Sequence, residues 1–365
     1  MTFLETSSEY VFFEDTAVGR MKKELFDSTD EKIDAILEEY GVPSPPEWTR
    51  PGSYIQTTPR YKVIENRKKN DIVLIPVGSS ENHGMHSPHA EDTLFVTSIC
   101  EAVRRYTEKK GYTVNITLPP WIYGVHPYHH MGLPGTILVR EDVAKEQLMD
   151  VMLGLWNDGF RKQIIINNHG QLWTLEATIQ QFCKRYQLPG IFRVIDWHRA
   201  IREFYITEDR GGQYKMPFTH ADEAESSMAM LLFPEMMAME KAVDTDQKHY
   251  LPTGHMENAN DLYHRPSKWS ECQGHIPLEL FGCPEGVVGH ATDAAAQKAK
   301  KPMAAICRYL TLVIEEILQT FPAGTLPPVD EMTMRTKEEL APFIKEPQSP
   351  GWRSVYALPK LTYQE

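Results

Sequence analysis

The sequence predicts an α/β layered fold on a mainly parallel sheet, and three observations carry that prediction. From residue 71 onward, short apolar runs alternate with amphipathic helical patterns, the alternation that builds strand and helix layers. The run "DIVLIPV" (71–77) is apolar almost throughout and "KQIIINN" (162–168) has an unbroken apolar centre, as strands need when helices cover both faces. Both runs lead into polar turns rich in histidine and acid, and such sheets bind ligands beyond the carboxyl ends of their strands.

In chain order, residues 1–70 are polar and punctuated by proline, with one helical piece, "DEKIDAILEEYG", and the turn-rich "VPSPPEWTRPGS". They read as an N-terminal extension that wraps the body or a neighbouring subunit. The main domain, 71–321, opens with the strand "DIVLIPV", the helix "TLFVTSICEAVRRYTEKKG" and the strand "YTVNITL". The helix "EDVAKEQLMDVMLGLWNDG", with apolar residues three to four apart, precedes the buried strand "KQIIINN". Then come the helix "LWTLEATIQQFCKRYQ", the strand "GIFRVI" and the helix "ADEAESSMAMLLF". Residues 234–290 are rich in loops, and "TDAAAQKAKKPMAAICRYLTLVIEEILQTF" is a long final helical stretch with Pro302 as a candidate break. The tail, 322–365, is rich in proline and is expected on the surface.

Composition removes several functional classes. A net charge of −12 is unsuited to tracking phosphates, so no nucleic-acid partner is expected, and the short basic runs "NRKKN" and "KAKK" read as solvated surface. No apolar stretch approaches the ~20 residues of a membrane span. The N-terminus lacks the basic-then-apolar order of a signal peptide, so a cytoplasmic location is expected. The five cysteines are widely spaced with no C-x-x-C pair, which fits neither a disulfide framework nor a thiolate zinc site. Cys100, Cys183 and Cys307 fall in amphipathic helices and read as small buried hydrophobes. The sequence holds no G-x-S-x-G elbow, no phosphate loop and no G-x-G-x-x-G turn after a strand.

The candidate chemistry sits where two buried strands end. "IVLIPV" runs into Glu81, Asn82 and His83, while "IIIN" runs into Asn168, His169, Gly170 and Gln171. Alternate residues of an extended segment face one side, so Glu81 and His83 can address one point while Asn82 faces away. Gly84 and Pro88 let the chain loop back and bring Asp92 to the start of the next helix. Glu81, His83, Asp92 and His169 form a mixed oxygen and imidazole set suited to Zn²⁺, Mn²⁺ or Fe²⁺, and a bridging Asp could hold two such ions. His86 and His89 are left as loop or rim residues. His220, just before the helix of "HADEAESSMAMLLF", is placed for acid–base work, and Glu225, one turn inside, could complete a metal shell. His126, His129 and His130 in "WIYGVHPYHHMGLPGT" read either as an aromatic loop packed on the sheet edge or as a substrate-facing wall. Trp197 and His198 of "IDWHRA" read either as strand-end core or as a pocket wall.

The segments "IPVGSSENHGMHSPHAEDT", "YHHMGLPGT", "NNHGQ", "HADEAESSMAMLLFPE" and "GVVGHATDAAAQKAK" together resemble the creatininase (creatinine amidohydrolase) family. That resemblance implies a three-layer α/β/α sandwich with a mainly parallel sheet, a two-metal centre and a homo-oligomer, often a hexamer. It implies that Glu81, His83, Asp92 and His169 bind metal, with Asp92 as the bridge, and that His220 is the catalytic histidine. One departure matters: where creatinine-hydrolysing members carry a metal-binding Glu, this sequence has Gln171. Neutral Gln is a poorer ligand, so the second ion either takes Glu225 or binds weakly, creatinine becomes an unsuitable substrate, and Gln171 is assigned to the substrate side. "GRMKKELF", "LGLWNDGFRK" and "GIFRVIDWHRA" further resemble the family's 3-dehydro-scyllo-inosose hydrolase branch of inositol catabolism. This implies a small polyhydroxylated ring dione opened by carbon–carbon hydrolysis. In a mechanism that fits the residues, His130 or a nearby backbone N–H holds the oxyanion and His220 protonates the leaving atom. The rival readings are a hydrolase of cyclic amides or formamides, and a polyol-binding protein with a decayed centre.

Overall fold

The computed structural model describes residues 47–118, 123–125, 133–246 and 285–359, with scattered positions before residue 47. Two compact units are present, 1–50 and 51–365. In the first, strands β1 (Phe3–Glu5) and β2 (Phe12–Glu14) pair antiparallel. Most of the helix expected over "DEKIDAILEEYG" lies outside the described residues.

The second unit is built on a four-stranded parallel sheet. Strands β3 (Ile72–Val77), β4 (Asn115–Ile116), β5 (Lys162–Asn167) and β6 (Ile191–Asp196) lie in the order β4-β3-β5-β6. β3 and β5 are buried at every position, in register from Ile72↔Lys162 to Val77↔Asn167. Among the helices, α1 (Arg60–Lys69), α2 (Glu91–Lys109), α3 (Glu141–Asn157) and α4 (Leu172–Tyr186) come first. The one-turn α5 (Trp197–Ala200), then α6 (Glu223–Leu232) and α7 (Ala296–Thr320), follow.

Side chains alternate across a strand. Val73, Ile75 and Val77 face a core made by Leu148, Met152 and Trp156 of α3 and by Leu175 and Phe182 of α4. On the other side α2 packs on β3, and α7 packs on α2 and α6. The result is the three-layer α/β/α sandwich that the sequence predicted. Among the described residues no helix is long and apolar enough to cross a membrane.

Four local departures have physical reasons. The strand expected over "YTVNITL" shrinks to Asn115–Ile116, because β3 carries Pro76. The Leu74 carbonyl accepts from Thr117 N on the β4 side, so residue 76 should offer the next donor there, and proline has none. Second, Pro302 does not break α7, which runs unbroken from Ala296 to Thr320. The Lys298 carbonyl, deprived of its helical donor, accepts from Gln213 Nε2 at 2.7 Å and Tyr214 OH at 3.0 Å instead. Third, the Pro-rich tail is not merely superficial, since Leu340, Phe343 and Val355 are buried in the α3–α4 core. Fourth, Arg67 of the "NRKKN" run turns inward, over Gly159 and the Phe160 ring, to pair with Glu346, while Cys183 is exposed.

The strand ends opposite the polar turns are closed by one buried ion pair. Lys162 Nζ donates to Asp71 Oδ1 at 2.7 Å and to the carbonyls of Phe321 (2.7 Å) and Pro322 (3.1 Å), tying β5 to the end of α7. Asp71→Ala leaves the ammonium buried without its counter-charge. A loss of about 3–5 kcal/mol in urea unfolding is expected, with a smaller loss for the double variant carrying Lys162→Met as well.

Candidate metal centre

The strand-end turns are placed by close packing. A Cβ on Gly78 would lie 2.5 Å from the Thr93 backbone, so only glycine lets the end of β3 approach the first turn of α2 this closely. Asn82 then pins the loop: its N–H donates to Thr136 Oγ1 at 2.9 Å, its Nδ2 to the Pro134 carbonyl at 3.0 Å, and its Oδ1 accepts from Gly84 N at 2.8 Å. Asn82 thus faces away while Glu81 and His83 turn inward together, with His83 Nε2 3.7 Å from Glu81 Oε1. Asp92 enters from the first turn of α2 and His169 from the turn after β5. Asp222 caps α6, accepting from Ala224 N at 2.9 Å and Glu225 N at 3.0 Å, which sets Glu225 in its first turn. Ala221 sits at φ +48°, and its N–H donates to Glu225 Oε2 at 2.6 Å, fixing the kink that presents His220.

These elements bring six predicted residues to one buried point. His169 Nδ1 lies 3.1 Å from Glu81 Oε1 and 3.3 Å from Asp92 Oδ2. His83 Nε2 lies 3.8 Å from Glu225 Oε2, and His220 Nδ1 lies 3.4 Å from Glu81 Oε1 and 4.0 Å from Glu225 Oε2. The His83 and His220 rings are 4.5 Å apart. Three overlapping sets could hold an ion: Glu81, Asp92 and His169; His83, Asp92 and Glu225; Glu81, His83 and His220. The first two share Asp92.

The donor chemistry fits a cation. Three carboxylates, Glu81, Asp92 and Glu225, are all at least 97% buried within this cluster, where mutual repulsion and lost hydration make the set costly by itself. Burial, then the nearby Glu91 and Asp92, push the Glu225 carboxyl well above its usual range. His83 Nδ1 sits 3.1 Å from the Glu81 carbonyl, so this ring's outer nitrogen is the donor and Nε2 keeps its lone pair for the site. No hydrogen-bond partner meets His83 Nε2 or Asp92 Oδ2 among the described residues. Burial, and then His220, lower His83 to about 4, keeping it neutral as a metal ligand must be. Burial would also lower His169, but the Glu81 and Asp92 carboxylates outweigh it and hold the imidazolium up to about 10. Without metal, a proton on His169 would offset these carboxylates. Loading metal at pH 7 should release protons, and apparent affinity should rise with pH across the neutral range. Titrating Zn²⁺ into weakly buffered, chelator-stripped protein while recording pH measures this; no proton release would contradict it.

The remaining predicted residues fall in three places. His126, His129 and His130 lie outside the described residues. Gln171 is buried, and its amide is engaged by protein: Nε2 donates to the Gly78 carbonyl at 3.0 Å and Asn167 Oδ1 at 3.3 Å, and Oε1 accepts from Val125 N at 3.1 Å. It braces the two strand-end turns. Trp197 is wholly enclosed beneath the site, among Phe95, Tyr205 and Phe218, and its indole donates to Asn168 Oδ1. His198 is buried, paired with Asp196 and packed on Phe218. Of the demoted histidines, His86 places Nε2 2.8 Å from Ser226 Oγ, joining the loop to α6. Ligand counting passes over Asn168, whose Nδ2 donates to Asp92 Oδ1. The only sequence signal for it is its place in "NNHGQ".

The creatininase family model, described as creatinine amidohydrolase, matches residues 57–314. The chain belongs to the creatininase family. It is 45% identical over 310 residues, 85% of its own length and 98% of the relative's, to the 3-dehydro-scyllo-inosose hydrolase of Thermotoga maritima. With that relative and that family, it is a metal-dependent hydrolase. Its fold resembles the crystal structure of a creatinine amidohydrolase at TM-score 0.57 and 16% identity, covering 74% of this chain and 98% of that one. Solved creatininases described in an Mn form and a Zn–Zn form superpose at TM-scores of 0.52 and 0.51.

Proposed function

We propose that this creatininase-family chain hydrolyses a carbon–carbon bond of a keto-inositol such as 3-dehydro-scyllo-inosose at a centre of two divalent ions, Zn²⁺ or Mn²⁺, with Fe²⁺ a third choice. The observation that carries the centre is the sharing of Asp92 between two buried ligand sets. The substrate rests on the 45% identity to a hydrolase of that name, over nearly its whole length. Glu81 and His169 would hold one ion, His83 and Glu225 the other, and Asp92 would join them. Ions so held supply a water that ionises near neutral pH and a Lewis acid for a substrate carbonyl.

The chain's own groups account for the rest. Hydrolysis adds hydroxyl to one carbon of the cleaved bond and a proton to the other. His220 Nε2 is 2.8 Å from the Asn82 carbonyl and anchors there, so Nδ1, 3.4 Å from Glu81 Oε1, is the nitrogen that faces the cluster and would carry that proton. Glu225 replaces the acid missing at Gln171, whose amide is committed to the backbone. A homo-oligomer, a hexamer, is the assembly we propose, and light scattering measures it.

The test is a substrate panel with metal analysis. Inososes and their diones should be turned over, with about two ions per chain, while creatinine and simple cyclic amides should not. Preferential turnover of a cyclic amide or formamide would move the reaction to C–N cleavage. Tight polyol binding without turnover in metal-replete protein would sink the enzymatic reading.

A further inference from the structure

We propose that Asn168, itself locked by Trp197, is a positioning residue that fixes Asp92 as the shared ligand of both ions; this rests on the dinuclear reading above. Asn168 follows the last residue of β5, where its neighbour Asn167 turns the opposite way and donates Nδ2 to the His169 carbonyl at 2.6 Å. Adjacent asparagines thus brace two different candidate ligands, as the alternation of an extended chain requires.

An indole N–H can only donate. The Trp197 Nε1–H therefore identifies the atom it meets as the Asn168 carbonyl oxygen, and the amide must present its NH₂ to Asp92 Oδ1. An NH₂ group in turn requires an acceptor, and Asp92 Oδ1 is that acceptor. With Oδ1 fixed, rotation of the carboxylate is blocked, and Oδ2 points toward His169 Nδ1 at 3.3 Å with no hydrogen bond of its own. Trp197, Asn168 and Asp92 are each at least 97% buried, so water cannot take over any link. The lock is rigid because Trp197 is wedged edge-on against Phe95, Tyr205 and Phe218, at ring separations of 6.1, 6.1 and 6.2 Å. The indole thus acts on the metal centre through two hydrogen bonds while touching no ligand.

The consequence is specific to a shared ligand. Loosening a residue that serves one ion weakens one ion, whereas loosening Asp92 weakens both together. Asn168→Ala should raise the dissociation constants of both ions by about 10–100-fold, as loss of an outer hydrogen bond to a metal ligand does. Trp197→Phe keeps the ring but frees the amide to flip, so the same change should follow to a smaller extent. Each variant is stripped, reloaded with Mn²⁺ and titrated, and the exchange coupling between the ions is read by electron paramagnetic resonance. Weakened coupling with parallel loss of both affinities is expected. Wild-type affinities and coupling in both variants would overturn the proposal, even with a lowered melting temperature, and so would the loss of one ion alone. If Asn168→Ala does not fold, Trp197→Phe decides by the same readouts. Absence of a second ion in the wild-type protein would instead overturn the dinuclear reading, before any variant is compared.

Discussion

Replacing Asp92 with alanine should remove both ions and, with them, the activity. Asp92 belongs to two of the three ligand sets, and its carboxylate is 1% exposed, so no solvent-facing group can swing in to replace it. The variant keeps Glu81 and Glu225 buried near His83 and His169 but loses the group that joins the two sides. Metal analysis after gel filtration should show less than one ion per chain. Turnover should fall by more than the ~10²–10⁴-fold that loss of a general acid alone would cause. Retention of two ions in Asp92→Ala would refute its role as the shared ligand.

His220→Ala separates binding from proton transfer. The expected result is two ions per chain with kcat lowered about 10²–10⁴-fold and KM little changed. The geometry makes the experiment sharp, because His220 Nδ1 lies 3.4 Å from Glu81 Oε1 and could also complete a third ligand set with Glu81 and His83. If the variant loses an ion, His220 is a ligand and the proton comes from another group. If it keeps both ions and full turnover, His220 has neither role.

Much of this arrangement was legible in the sequence because burial leaves a strong pattern. β3 and β5 are covered on both faces, so their runs read as strands without ambiguity, and their ends named Glu81, His83 and His169 directly. The spacing of two between Glu81 and His83 was enough to place them together. β4 was legible in its place but not in its length: "VNIT" has good strand propensity, but pairing depends on its neighbour, and Pro76 ends the ladder from across the sheet. Glu225 stood level in the sequence between a helix-start charge and a ligand, and the cap geometry of Asp222 together with the turn at Ala221 resolves its position. Asn168 showed only through its place in "NNHGQ" and Trp197 only as core or pocket wall, because an amide and an indole act here through hydrogen bonds, and neither is a ligand type. The continuity of α7 through Pro302 likewise depended on Gln213 and Tyr214, some ninety positions earlier in the chain.

Pro302 ties the last long helix to a segment far earlier in the chain. The turn of α7 that Pro302 opens is held by Gln213 and Tyr214, and the same Lys298 sends its ammonium to Glu223 in the first turn of α6. Ala295 N, at the head of α7, donates to Ser227 Oγ at 3.0 Å. The segment that presents His220 and Glu225 is thus held in place by residues synthesised about seventy positions later. A chain ending before residue 296 would therefore carry every candidate ligand without the contacts from α7 that brace the segment presenting two of them.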